Sequence, residues 1–113
     1  FFTCYKNVTK IIKTNNFFSE SEEWFRNICK KVDIIIHSAW YAEPGKYLES
    51  PLNLECLAGT LNFAKSACKQ GIKKFVGVGT CFEYDLTNSS PLDINAPLNP
   101  QFLYSEIQQL YRF

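Results

Sequence analysis

The chain has no methionine, one histidine, and only five glycines in 113 residues, and none of its five cysteines forms a C-x-x-C pair. Each shortage excludes something. A lone His37 and the scattered Cys4, Cys29, Cys56, Cys68 and Cys81 offer no ligand set for structural zinc, so no metal site is expected. An odd cysteine count without a disulfide-like spacing reads as reduced, buried thiols in a cytoplasmic protein. No apolar run approaches the roughly 20 residues of a membrane span, and no signal-peptide pattern opens the chain. The net charge of +1, from 12 basic and 11 acidic residues interspersed along the chain, gives no electrostatic case for nucleic acid or an anionic membrane. The sequons at Asn7 and Asn88 would matter only in a secreted protein. With no methionine at its start and a helical pattern still running at Phe113, the chain reads as an incomplete piece of something longer.

What is present is apolar and aromatic. Hydrophobic residues make up 46% and aromatics 16% of the chain, enough for a sizeable core in one small domain. Phe1–Tyr5 and Val8–Lys13 have the composition of short strands. Ser19-Glu-Ser-Glu22 has the form of a capping box. Trp24, Phe25, Ile28 and Cys29 follow on one helical face that ends near Lys31. The β-branched run Val32-Asp-Ile-Ile-Ile-His37 lacks alternation and suits a strand covered on both faces of a parallel sheet. Ser50-Pro51 is a helix start. Leu54, Leu57, Ala58, Leu61, Ala64 and Cys68 then mark one apolar stripe, with Gly71 as the stop. Lys74-Phe-Val-Gly-Val-Gly79 is a second buried strand, Asp85–Pro100 a polar loop, and a final helix begins near Phe102. Strands alternating with helices predict an α/β fold, a partial Rossmann-like doubly wound parallel sheet with flanking helices.

Ligands of such sheets bind beyond the carboxyl ends of the strands, which directs attention to His37–Trp40 and Gly79–Cys81. Ser38 and Ala39 are small enough for a flat ligand to approach the backbone. Gly77 and Gly79 read equally well as room for a ligand or as close helix–sheet packing. Thr80 brings a hydroxyl to the crevice mouth, and His37 reads as a satisfied structural histidine.

Several stretches carry a resemblance. Val32-Asp-Ile-Ile-Ile-His-Ser-Ala39 resembles the strand ending D-x-x-x-H-x-A of the extended short-chain dehydrogenase/reductases, the NAD-dependent nucleotide-sugar epimerase/dehydratase family. Leu57-Ala-Gly-Thr-Leu-Asn62 resembles that family's following helix, Gly71-Ile-Lys-Lys-Phe-Val76 its G-V-K-R-F-V, and Gly79-Thr-Cys-Phe-Glu-Tyr-Asp85 its S-S/T-x-x-x-Y-G. The match runs from about Val32 to Gln108. It implies NAD or NADP as cofactor, a nucleotide-sugar substrate, and a homodimer built through helices. Tyr104 would be the acid/base, Thr80 would hydrogen-bond the reacting hydroxyl, and Gln108 would stand in the catalytic set one helical turn on. Ser38, Ala39, Trp40, Val78, Gly79 and Tyr104 would line the cofactor.

Cys56 and Gln108 depart from the family pattern, which has asparagine and lysine there. Without the lysine's charge a tyrosine near pKa 10 is ionised to roughly one part in a thousand at pH 7. Gln108 can hold a ribose hydroxyl but supplies no charge. Arg112, two turns on from Tyr104, is too far along the helix to replace it directly. Three readings stay open: residues missing near Ser105–Gln109, a family member with weakened chemistry, or a Tyr104 that is simply core. Nor does Phe1–Phe18 resemble the family's glycine-rich phosphate turn. The expectation is therefore an incomplete NAD(P)-binding domain over residues 1–113. A non-catalytic Rossmann-like binding or regulatory protein is the alternative, and a flavodoxin-like binding domain the weaker third.

Overall fold

The computed structural model describes residues 10–87 and 91–110. Among the described residues three helices, α1 (Glu22–Ile28), α2 (Leu52–Lys69) and α3 (Leu103–Leu110), and two strands, β1 (Ile34–His37) and β2 (Lys74–Gly77), are joined by loops and three short 3-10 turns. The strands pair in parallel, Ile34 opposite Lys74 through His37 opposite Gly77, and α2 forms the crossover that parallel pairing requires. This is the α/β arrangement that the alternation of elements predicts.

Local chemistry sets most element ends. The Ser21 hydroxyl accepts the Trp24 N–H at 3.1 Å and starts α1, whereas Ser19 lies in the 3-10 turn 17–19. The capping residue is thus two positions later than the S-x-x-E pattern suggests. Helix α1 ends at Ile28 rather than near Lys31, because Lys31 adopts a φ of 61° that no α-helix can continue through. At the far end of α2, Gly71 takes a φ of 76°. Its N–H reaches Cys68 O, and the Ile72 N–H reaches Ala67 O, the paired bonds of a Schellman stop. Ser50 accepts the Leu52 N–H, so the predicted start of α2 holds to within one residue. The segment Phe1–Tyr5 lies outside the described residues, as do Val8 and Thr9. Residues 10–13, the rest of the second expected strand, carry no strand.

Packing departs from the sequence reading in two places. The core joins Phe25 and Cys29 of α1, Ile35 of β1, and Phe63 and Ala67 of α2, with Phe17, Trp24, Ile72 and Phe75 against it. All of it lies on one side of the sheet. The expected cover on both strand faces is not found among the described residues, and Ile34 and Ile36 remain 57% and 72% exposed.

In α2 the buried face is Asn53, Cys56, Gly59, Thr60, Phe63, Ser66 and Ala67, not the leucine stripe; Leu54 and Leu61 face solvent. The reason is close approach. A Cβ on Gly59 would sit 2.6 Å from the Phe18 backbone, so the turn at Phe17–Ser19 lies on the helix where only glycine permits it. Thr60, beside it, meets His37 Nε2 at 2.9 Å. His37 is a buried, partnered histidine ringed by Phe17, Phe63 and Phe75, as the sequence suggests. Cys29 and Cys56 are buried, but Cys68 and Cys81 are exposed, which corrects the expectation of uniformly buried thiols.

Candidate active site

Beyond the carboxyl ends of β1 and β2 the chain leaves the sheet as Ser38-Ala39-Trp40 and Val78-Gly79-Thr80. Ser38, Ala39, Val78 and Gly79 are exposed there, while Trp40 and Thr80 are half-buried. The Val78 N–H still donates to His37 O at 2.9 Å, so the two exits run side by side before they diverge.

Thr80 is fixed by a short capping arrangement. Its hydroxyl accepts the Phe82 N–H at 3.3 Å, and its own N–H donates to Glu83 Oε1 at 2.8 Å. Glu83 is 1% exposed. Its Oε1 occupies the space a Cβ on Gly79 would need. A carboxylate of this chain therefore lies against Gly79, which is neither of the two readings left open, close helix–sheet packing or room for a ligand.

The polar loop then folds back. Asp85 N–H donates to Pro97 O at 2.8 Å and Asn99 N–H to Glu83 O at 3.0 Å, and Phe102 packs edge-on against Phe82. These contacts bring the start of α3 against the 3-10 turn 81–83 that follows β2. Ser105 Oγ donates to Phe102 O and accepts the Phe102 N–H, closing the first turn of α3 with Tyr104 inside it.

Tyr104 meets Thr80 there. Burial raises the phenol pKa, the nearby Thr80 hydroxyl opposes that rise, and Tyr47, Glu83 and Cys81 add to it. The net effect is a phenol above its ordinary value. Its ring is flanked by Tyr47 at 5.0 Å and Trp40 at 6.5 Å, both edge-on. Gln108 follows one turn later and is buried. Thr80 and Tyr104, named from sequence, are thus brought together, and Trp40 stands beside them.

Two residues of the neighbourhood carry no strong sequence signal. Glu83 looks like a surface acid until its carboxylate is seen under Gly79; the T-x-x-E capping spacing from Thr80 is the available clue. Asn53 lies one residue out of phase with the leucine stripe that periodicity favours on α2. It is fully buried, accepting the Trp40 Nε1–H at 2.7 Å and donating to Tyr47 O at 2.6 Å and Ser50 O at 2.9 Å. Cys56, one turn further, is buried, and burial raises its pKa. With Asn16, Phe18, Trp40, Tyr41 and Leu52 it lines a hollow of about 220 Å³.

The family model for the NAD dependent epimerase/dehydratase family matches residues 11–111. The chain belongs to that family. No curated protein matches it. Membership in the epimerase/dehydratase family implies NAD(P) binding and sugar-modifying chemistry. Exposed backbone at Ser38–Ala39 and Val78–Gly79 leaves both strand ends open, with Thr80 and Tyr104 nearby. Among the described residues there is no glycine-rich turn for the pyrophosphate. No described helix is long and apolar enough to cross a membrane.

Proposed function

We propose that residues 1–113 are part of the NAD(P)-binding domain of a nucleotide-sugar epimerase or dehydratase, and that Tyr104 exchanges a proton with a sugar hydroxyl. The observation that carries this reading is the nearness of the Thr80 hydroxyl to the Tyr104 phenol, which Trp40 and Tyr47 flank. Thr80 holds the reacting oxygen and steadies charge on it, Tyr104 gives or takes its proton, and Gln108 holds a ribose hydroxyl. Ser38, Ala39, Trp40, Val78 and Gly79 line the cofactor, chiefly through backbone. The bound nicotinamide supplies the hydride acceptor or donor.

The test is turnover of a panel of nucleoside diphosphate sugars by the complete protein with NAD and NADP. Tyr104→Phe is expected to lower turnover about 10²- to 10⁴-fold while dinucleotide affinity stays nearly constant. Equal turnover in the variant removes Tyr104 from the chemistry.

A second reading has its own observation. The raised phenol pKa and the neutral Gln108 in the lysine's place favour a site that binds without turning over. Dinucleotide binding with no turnover of any sugar in the panel supports it.

A further inference from the structure

We infer that Asn53 is a positioning residue for this site, holding the Trp40 indole and the Tyr47 turn against the Tyr104 phenol. The inference rests on the proton-exchange reading of Tyr104. Asn53 is 0% exposed, and burying an amide is tolerated only when its hydrogen-bonding groups are met. Here one side chain uses its oxygen and both amide hydrogens on different parts of the chain. The oxygen takes the Trp40 indole N–H, while the nitrogen serves Tyr47 O and Ser50 O.

Starting the helix does not need this amide. Ser50 Oγ already accepts the Leu52 N–H, and Asn53's own N–H goes to Ser50 O at 3.1 Å. What the amide does instead is tie the loop after β1 to the 3-10 turn 47–49. Those are the two segments whose rings flank Tyr104. An apolar residue of the same size would leave the indole N–H and two carbonyls without this partner and free both rings to shift. Water would then reach the phenol, and the opening through which a sugar hydroxyl approaches it would change width.

The complete protein, with the Trp40 indole N–H signal assigned by its loss in Trp40→Phe, provides the test. Asn53→Asp keeps the acceptor for the indole and loses both amide donors; Asn53→Leu loses all three bonds. Hydrogen exchange of the indole N–H should stay slow in the first and become fast in the second. Ultraviolet difference titration against matching Tyr104→Phe proteins should show the Tyr104 midpoint falling in Asn53→Leu towards the ordinary 10.0, because the rings that desolvate it are released, whereas the new carboxylate of Asn53→Asp opposes that fall. A helix-supporting role alone would leave that midpoint in place. Turnover should fall on the order of tenfold to a hundredfold.

If Asn53→Leu fails to fold, Trp40→Phe removes only the indole donor and should move the midpoint the same way. A midpoint unmoved in Asn53→Leu, or in Trp40→Phe in its place, overturns the inference and leaves the proton-exchange reading intact. A Tyr104→Phe protein with undiminished turnover removes that reading, and the inference with it.

Discussion

Gly79→Ala places a methyl group where the Glu83 carboxylate now lies. The new Cβ overlaps Oε1 and stands 3.5 Å from Cδ and 3.8 Å from Oε2. Glu83 is 1% exposed, so it has no open space to swing into. Either the overlap stays, at about 1–3 kcal/mol for overpacking, or the carboxylate retreats. Retreat breaks its 2.8 Å bond to the Thr80 N–H, and a buried unsatisfied donor costs about 1–3 kcal/mol. Both routes give roughly 2 kcal/mol, which in a domain of this size is about 8–16 °C in Tm. Glu83→Ala by itself costs a similar amount, since it leaves the same N–H without its acceptor. In that background, however, Gly79→Ala no longer meets the three nearest atoms, all of Glu83, and should be nearly neutral. A double-mutant cycle in urea therefore predicts a coupling of about 2 kcal/mol. If Gly79→Ala costs the same in both backgrounds, Glu83 is not the reason for the glycine. If it costs no stability in either while dinucleotide binding collapses in both, the glycine is reserved for the ligand.

Three further outcomes follow from the site and its supports. Burial is the main cause that raises the Tyr104 pKa, so the phenolate is scarce at neutral pH. The rate of sugar oxidation should climb with pH without levelling below about 10, and Gln108→Lys should bring the plateau to lower pH by adding a positive charge. Burial lowers the His37 pKa below 6.5, so on acidification the unfolded chain takes up that proton first. Stability should be full above this value and fall as pH drops from there towards the folded pKa, by at most ~1.4 kcal/mol per unit. His37→Gln should remove that dependence in pH-resolved thermal melts. Gly59→Ala should destabilise by about 1–3 kcal/mol, although helix propensity alone predicts a gain of ~1 kcal/mol, because its Cβ meets Phe18 backbone at 2.6 Å. A more stable variant would show that the 3-10 turn 17–19 is free to lift off α2.

The sequence alone determined what nearest neighbours along the chain can enforce. The β-branched run that ends at His37, the Schellman glycine at Gly71 and the serine just before α2 each act over a few residues, and each marks its element to within two residues of where it was read. The order of elements follows from them, and with it the parallel sheet and its ligand edge. The resemblance supplied Thr80 and Tyr104, 24 positions apart, without saying that they lie close together. Tertiary structure decided that, through the loop that returns to Glu83 and Asp85 and sets α3 against the 3-10 turn 81–83. It also decided which face of α2 is buried. A leucine stripe and a stripe of Asn53, Gly59 and Thr60 satisfy the same helical period about one residue out of phase. Only the arrival of Phe18, His37 and Trp40 selects between them. Periodicity records that a helix has a buried side; which side it is depends on surfaces brought from elsewhere in the chain, and those demanded closeness and hydrogen bonds more than apolar area.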